Sequence, residues 1–424
     1  MNIHPIFTRM KLLFQNNGPD HKAPVLAALA LGLFLTGAGA ADSSPAPTDE
    51  HIRRAESYYE QHDYPKALEA YQKALVIQEK ALGKEHPDTA TTYHNIARVY
   101  DSQGDYPMAL EWYQKALAIN EKTLGKNHPD TAKNYNNIAT VYYHYGDYPK
   151  ALAWYQKALV INEKALGKEH PVTATTYHNI AMMYSSQGNY PMALEWYRKA
   201  LAINEKTLGK NHPDTASTYN NIAMVYYRHG DYPEALAWYR KALVINEKAL
   251  GKEHPVTATT YHNIASVHDD QGDYSKALEW YQKALAINEK VLGKNHPNTA
   301  STYNNIAMVY YNQDKNDNAL AWYRKALVIR EKALGKDHPD TAITCNGIAA
   351  VYYSQGEYEK ALAGFLKAYR VFLHVFKEVH PNTRSAKNNM EASYKKTAAA
   401  KRKPFARWLE EALASTGNAD MRAP

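Results

Sequence analysis

Histidines are the residues of this 424-residue chain whose type and spacing first suggest chemistry. Eight His-Pro pairs stand 42 residues apart, with histidines at His86, His128, His170, His212, His254, His296, His338 and His380. Imidazole binds zinc and acts as a general base. Helices pack about 8–10 Å apart, too far for histidines one repeat apart to share an ion about 2 Å from each ligand. The same argument excludes a shared metal ion for His94, His178 and His262. We therefore expect structural or solvated histidines and no metal site.

Motifs for catalysis are missing from the sequence. It contains no Gly-rich phosphate loop, no GxSxG and no HExxH. We therefore expect neither enzyme activity nor a cofactor. The remaining expectation is a binding function.

The residues between the His-Pro pairs repeat as well, and one unit runs from His86 to Asn127. A fixed period of this size indicates a solenoid of stacked units. In each half of the unit, apolar residues follow the i, i+3, i+4, i+7 pattern of one helix face. Gly104 can end the first helix and Asp105 can begin the second. The chain is predicted to be all-α, built from antiparallel helix pairs.

The unit resembles a tetratricopeptide repeat, and the residues that carry the resemblance are Ile96, Ala97, Tyr100, Gly104, Tyr106, Ala109, Leu110, Tyr113 and Ala116. The usual period of that family is 34 residues. The 42-residue variant, with NNIA in the first helix and EKxLGKxHP after the second, is similar to the repeats of kinesin light chain. The resemblance covers about residues 49–397. It implies a right-handed α-α superhelix of about eight helical hairpins plus a C-terminal capping helix.

Second helices are predicted to begin near Tyr64, Tyr106, Tyr148, Tyr190, Tyr232, Tyr274, Asn316 and Tyr358. The last His-Pro pair opens one unpaired helix, and a short amphipathic helix follows at about residues 405–413. In the seventh hairpin Asp314 and its neighbours replace Gly-Asp-Tyr-Pro, which should weaken that turn. The lone Cys345 replaces a core tyrosine and is expected to be buried. The six tryptophans of the second helices lie either between units or on an exposed stripe.

The sequence outside the repeats predicts the remaining boundaries. An apolar run at 23–39 follows basic residues and ends in small ones, which predicts a signal peptide at 1–41. A linker at 42–50, the array at 51–397 and a basic tail with a short helix at 398–424 complete the chain. We expect export to the periplasm or the medium after cleavage. An uncleaved N-terminal membrane anchor is the alternative, and only that form would have a membrane partner.

The net charge of +7 does not come from the array. The segment 384–407 carries +7 by itself, whereas residues 42–383 are neutral overall. A neutral array is a poor binder of polyanions, so no nucleic-acid partner is expected. The basic tail either touches an acidic surface or is simply solvated.

In arrays that resemble this one, first helices line a concave face and their asparagines hold the backbone of cargo peptides. The resemblance assigns that role to Asn95, Asn137, Asn179, Asn221, Asn263 and Asn305. Amide side chains both donate and accept hydrogen bonds, and aromatic or Met side chains adapt to varied ligands. The expected flanking residues are Asn136, Asn220, Asn304, Tyr143, Tyr227, Arg228 and Met224. These asparagines form a column that recurs every 42 residues, and Gly347 takes the place of the asparagine in the next repeat and interrupts it. The alternative is that the amides bond to the neighbouring repeat and fix the stacking.

Odd and even units alternate between YHNIA and YNNIA, which indicates either duplication of an 84-residue pair or drift without functional meaning. The sequence predicts a non-enzymatic scaffold that binds an extended peptide or protein segment, with no small-molecule substrate. A self-associating or envelope-complex module is the alternative, as is a regulatory subunit of an enzyme. The segment before the array also argues against a motor role.

Overall fold

The computed structural model describes residues 47–378, 380–397 and 403–417. The predicted signal peptide, most of the linker and the ends of the basic tail lie outside these residues. The described part is all-α and contains no strand. Its helices are α1 (Pro47–Glu60), α2 (Tyr64–Ala81), α3 (Pro87–Gln103), α4 (Tyr106–Thr123), α5 (Pro129–Tyr145), α6 (Tyr148–Ala165), α7 (Pro171–Ser186), α8 (Tyr190–Thr207), α9 (Pro213–His229), α10 (Tyr232–Ala249), α11 (Pro255–Asp270), α12 (Tyr274–Val291), α13 (Pro297–Asn312), α14 (Asn316–Ala333), α15 (Pro339–Ser354), α16 (Tyr358–Phe376), α17 (Pro381–Tyr394) and α18 (Phe405–Gly417).

The predicted fold class is confirmed, because the helices follow one another in consecutive pairs of the tetratricopeptide type. All eight second helices begin at the predicted residues, from Tyr64 to Tyr358. Helix α1 begins at Pro47, so residues 47–50, assigned to the linker from sequence, form its first turn. The chain forms two compact units that divide inside α9, between Val225 and Tyr226.

The turn within most hairpins is built from a glycine in the left-handed conformation followed by an Asp or Asn that caps the second helix. Gly104 adopts φ 78°, the left-handed conformation that only glycine reaches without strain. The Asp105 carboxylate accepts the backbone N–H of Met108 at 3.2 Å and caps α4. The seventh hairpin lacks both features, since Asp314 takes φ 59° and Lys315 provides no side-chain cap.

The exit loop explains the His-Pro signature. The His86 ring nitrogen Nδ1 accepts the backbone N–H of Asp88 at 3.2 Å, while Pro87 occupies the first helical position. Two residues later, the Thr89 hydroxyl donates to the carbonyl oxygen of Gly83 at 2.9 Å. The prediction of structural histidines did not identify this capping role, because histidine is not among the residues usually preferred as helix caps.

Small residues let the two helices of a hairpin approach. Ala97 and Ala109 are fully buried, and Tyr113 is almost so. Trp112 is half-buried, with its ring 5.5 Å from that of Tyr93 on the partner helix and the Lys115 ammonium 4.1 Å from its centroid. Trp154, Trp196, Trp280 and Trp322 follow the same arrangement and pack against core tyrosines, so these four do not form a free aromatic stripe.

Successive hairpins are joined by a polar contact that repeats along the chain. The Tyr177 hydroxyl of α7 donates to the Glu163 carboxylate of α6 at 2.6 Å. The bond recurs between the matching tyrosines and glutamates of the other repeats, at Tyr93, Tyr135, Tyr219, Tyr261 and Tyr303. Cys345 replaces the next tyrosine and is buried as predicted. Glu331, which would be the partner of that tyrosine, pairs with Lys367 at 3.1 Å instead.

The last two helices cover the end of the second unit. Tyr394 of α17 is 2% exposed and packs its ring against Phe405 and Trp408 of α18. Its hydroxyl donates to the carbonyl oxygen of Lys403 at 2.8 Å. A terminal element of this kind shields the apolar face of the last repeat. Within the described residues, no helix is both long and apolar enough to cross a membrane.

Candidate functional site on the first helices

Three of the predicted ligand-binding asparagines bond to the preceding repeat. Asn221 Nδ2 lies 3.2 Å from Nε2 of His178, and Asn305 Nδ2 lies 2.6 Å from Nε2 of His262. Asn137 lies at the distance limit, 3.5 Å from Nδ1 of His94. These even-repeat amides therefore fix the stacking of neighbouring repeats, as the alternative interpretation of the sequence expected.

The histidine partners are held against core tyrosines. The rings of His94, His178 and His262 meet the edges of Tyr113, Tyr197 and Tyr281 at centroid distances of 5.2, 5.1 and 5.0 Å. Burial, with the nearby charges of Lys133 and Arg98, lowers the pKa of His94 to about 3. The ring is therefore neutral near pH 7 and offers one nitrogen as an acceptor for the asparagine amide.

The asparagines of the odd repeats make fewer hydrogen bonds than those of the even repeats. Asn95 and Asn179 are half-buried, and their side chains make no hydrogen bond to any described residue. Asn263 is only 4% exposed, and its buried Nδ2 likewise lacks a partner in the described part of the chain. An amide that is partly desolvated and unpaired costs free energy unless another molecule bonds to it. Asn95 and Asn179 are thus the members of the predicted set still open to a ligand.

The preceding column of asparagines belongs mostly to the interior. Asn220 and Asn304 are 5% and 2% exposed, and Asn136 donates to the Thr176 hydroxyl of the next repeat at 3.2 Å. A ligand on the surface cannot reach the two buried amides. Helix packing thus encloses Asn220 and Asn304, which the sequence had assigned to ligand contact, whereas Asn136 stays half-buried.

The predicted flanking residues differ in their burial. Tyr143 is half-buried, and its hydroxyl lies 2.9 Å from that of Ser186, whereas Tyr227 is 5% exposed and donates to the carbonyl oxygen of Ser266 at 3.4 Å. Tyr227 is therefore a core residue, against the sequence-based expectation. Met224 and Arg228 are half-buried and keep part of their surface in solvent.

Gly347 ends the asparagine column for a steric reason. A Cβ atom at this position would lie 2.7 Å from the ring of Tyr323, closer than real Cβ contacts allow. The tyrosine ring therefore fills the space that an amide occupies in other repeats, and the column is interrupted there as the sequence indicated.

A second row of contacts joins the ends of neighbouring first helices, and sequence reasoning missed its pairing. His144 Nδ1 lies 2.9 Å from the Asp101 carboxylate, and Asn312 Nδ2 donates to the Asp269 carboxylate at 3.0 Å. Both pairs, like those of the asparagine–histidine row, join residues 43 positions apart. Polar residues recurring one repeat plus one residue apart were the signal that could have revealed both rows.

The 84-residue alternation has a physical basis in these contacts. The histidines of three odd repeats, His94, His178 and His262, each face an asparagine of the following even repeat. Exposed ion pairs show the same period: Glu85, Glu169 and Glu253 pair with Lys122, Lys206 and Lys290, again every 84 residues. Two kinds of interface thus alternate along the chain.

The arrangement shows no cluster suited to metal chemistry in the part of the chain that the structure describes, since no three His, Cys, Asp or Glu side chains converge. What it offers is a row of side-chain amides, aromatic rings and aliphatic groups on paired helices. These features define a helical-repeat protein of the interaction-scaffold class.

A family model described as tetratricopeptide repeat matches this chain in overlapping segments that run from residue 50 to residue 374. The segments are 50–122, 102–164, 130–206, 172–248, 214–290, 257–314 and 298–374. The chain belongs to the tetratricopeptide repeat family, as predicted, a family of protein–protein interaction scaffolds.

Among solved structures, the chain is similar to nearly identical TPR-like repeats assigned to a kinesin light chain of Podosopora anserina, with 28% identity over 48% of this chain and 97% of that one and a TM-score of 0.41. BtubC (BKLC) from P. vanneervenii is 24% identical over 54% of this chain and 90% of its own, with a TM-score of 0.42. A Rap protein complexed with Competence and Sporulation Factor is 15% identical over 77% of this chain and 98% of its own, with a TM-score of 0.53. The Rap likeness shows the fold alone. No curated protein matches the chain.

Proposed function

We propose that this protein is a non-enzymatic scaffold whose first helices bind an extended segment of a protein or peptide. The observation that carries the proposal is the unpaired state of Asn95 and Asn179 next to neighbours whose polar groups are bonded. An extended backbone presents N–H and C=O groups in alternation, and an amide side chain can satisfy both. Such contacts hold a main chain without reading its sequence.

Half-buried groups beside these amides would supply the apolar part of the contact. Met182 follows Asn179 by three residues on α7 and is half-buried, and Tyr184 on the same helix is half-buried as well. Thioether and aromatic side chains adapt to different ligand residues. The family of scaffolds to which the chain belongs supports the same kind of partner.

The place of action is part of the proposal. An apolar run at 23–39, preceded by basic residues and followed by small ones, supports export and cleavage near residue 41. The scaffold would then meet its partner outside the cytosol. Mass determination of the N-terminus of the protein recovered from its native cells tests this point, because retention of residues 1–41 would contradict it.

Affinity capture with the mature chain tests the proposed surface. Partners captured by the wild-type protein are identified and then measured against N95A/N179A, which should weaken binding about 10-fold or more at roughly 1–1.5 kcal/mol per lost amide contact. The variant K126A/R198A, which changes two exposed residues on an exit loop and on the second helix α8, is the matched control and should bind normally. Equal affinity of the wild type and N95A/N179A would remove the basis of the proposal.

A further inference from the structure

The starts of the first helices depend on one protonation state of histidine. At eight positions from His86 to His380 the ring nitrogen Nδ1 accepts the backbone N–H two residues along, at distances between 3.0 and 3.2 Å. A backbone N–H can only donate, so Nδ1 must keep its lone pair. An imidazolium ring has no acceptor, and protonation therefore breaks this bond.

The charge at the helix end also disfavours a protonated histidine ring. The N-terminus of a helix carries a partial positive charge, so a protonated ring placed there is repelled. The second helices of the same hairpins are capped differently. Asn189 caps α8 and Asp273 caps α12, and the hydrogen bond from Lys276 lowers the pKa of the Asp273 carboxyl. These caps stay competent acceptors in mild acid.

The surroundings of the histidine caps are not uniform. Asp88, Asp130 and Asp214 place a carboxylate oxygen 3.6–3.7 Å from the ring nitrogen of His86, His128 and His212, where a protonated ring would gain an ion pair. At His170 and His254 the same position holds Val172 and Val256, and at His296 and His380 it holds Asn298 and Asn382. None of these side chains carries a carboxylate that could offer such compensation.

Charged groups near His170 are already engaged by other partners. On the exit loop, Glu169 pairs with Lys206 of α8 at 2.6 Å, and the Glu163 carboxylate of α6 accepts from the Tyr177 hydroxyl of α7. Lys164 of α6 and Lys168 of the loop add positive charge. The His254 loop repeats this pattern, with Glu253 paired to Lys290 and Glu247 bonded to Tyr261, and Lys248 and Lys252 beside them. Among the described residues, no carboxylate forms an ion pair with the ring of His170 or His254, in contrast to His86, His128 and His212.

We propose that the His-Pro loops are an acid-sensitive device, in which protonation of the capping histidines uncaps the first helices and loosens the array first where no aspartate follows the cap, as at the His170 and His254 loops. Imidazole is the side chain that ordinarily changes charge between about pH 5 and 8. Stability in a repeat array is a sum over neighbouring units, so loss at these loops weakens the stacking on both sides. This inference does not depend on the proposed ligand.

Buried histidines add to the effect without carrying it. His380 stacks on Phe376 with ring centroids 4.0 Å apart, and burial lowers its pKa to about 4. A histidine whose pKa is lower in the folded state favours folding above about pH 6.5, where both states are neutral. Its contribution is lost as the pH falls from there toward about 4.

Site-resolved hydrogen exchange of the full-length protein at about pH 7.5 and about pH 5 tests the device. Protection factors, corrected for the intrinsic pH dependence, are compared between the first turns of α7 and α11 and those of α8 and α12. We expect acid to lower protection about 5-fold in α7 and α11, the equivalent of one lost cap, and to leave α8 and α12 unchanged.

The variants H170N and H254N replace the ring with an amide oxygen that caps helices and does not titrate. We expect them to keep the protection of their own helix start at the lower pH. Equal loss in the variants and the wild type would overturn the proposal, as would equal loss in the first turns of α8 and α12. A wild-type array that loses no protection in acid would overturn it without any variant.

Discussion

The Nδ2 atom of Asn221 lies 3.2 Å from Nε2 of His178, so that the side chain following Tyr219 in one repeat is tied to the side chain following Tyr177 in the repeat before. Asn179, the residue next to that histidine, makes no side-chain hydrogen bond to any described residue. Two asparagines in the same column of the repeat therefore differ: Asn221 contacts the preceding repeat, whereas the Asn179 side chain makes no hydrogen bond within the described residues.

Replacing Asn221 with alanine should lower stability. The substitution removes the hydrogen bond between Asn221 and the half-buried His178 ring, at a cost of about 1 kcal/mol. Asn179→Ala removes no hydrogen bond to a described residue and should stay within about 0.5 kcal/mol of the wild type. Thermal unfolding followed by circular dichroism measures both. Equal melting of the two variants would show that the histidine contact contributes nothing.

The tyrosine–glutamate bond between hairpins should also contribute measurably. Tyr177→Phe removes the hydroxyl that donates to the Glu163 carboxylate at 2.6 Å, and a bond to a charged acceptor is worth about 1.5–3 kcal/mol. Tyr184→Phe is the control, since that half-buried hydroxyl bonds to no described residue. Urea unfolding of the two variants compares them, and a control that is destabilised as much as Tyr177→Phe would contradict this reading.

The same tyrosines should make the array sensitive to alkali. Burial, reinforced by the hydrogen bond to Glu79, raises the pKa of Tyr93 to about 12, and Glu121 acts likewise on Tyr135, whose pKa is also about 12. A phenol in the unfolded chain titrates near pH 10. Stability from these groups is therefore complete below about pH 10 and is lost as the pH rises toward 12.

Phenolate absorbance in the ultraviolet checks the alkaline prediction. In the folded protein these tyrosines should ionise about two pH units later than in denaturant. Ionisation of all tyrosines near pH 10 while the helical signal is intact would contradict it.

The hairpin turn at 310–320 should open more readily than the matching turn at 268–278. Asp314 holds the left-handed conformation that Gly272 holds in the other turn, and Lys315 gives α14 no side-chain cap. Amide hydrogen exchange should be faster at 310–320. Asp314→Gly removes backbone strain of about 1 kcal/mol and should slow hydrogen exchange in this turn. Equal protection of the two turns would refute this prediction.

Periodicity predicted the helices well because burial imposes it in every repeat. All eight second helices start at the predicted residues, and Gly104 and Asp105 have the predicted turn roles. The roles of the candidate site residues were harder to predict from the sequence. The choice between stacking and ligand contact for Asn221 depends on which atom of the neighbouring repeat lies within about 3 Å, and packing geometry sets that distance.

The burial of Asn304 and Tyr227 shows the same limit. Both are polar residues beside a helix face, and the sequence alone placed them toward solvent. In the folded chain they are 2% and 5% exposed, because neighbouring first helices approach closely enough to enclose them. His86 was missed for another reason, since a ring nitrogen caps a helix only when the loop directs it back to the backbone.

A structure of the array bound to its captured partner is the most direct test of the central claim that odd-repeat amides bind the ligand. The side-chain amides of Asn95 and Asn179 should lie within hydrogen-bond distance of the partner's main chain, about 3 Å. Asn221 should remain on His178. A partner seated on the second helices, or bound without contact to Asn95 and Asn179, would contradict the account.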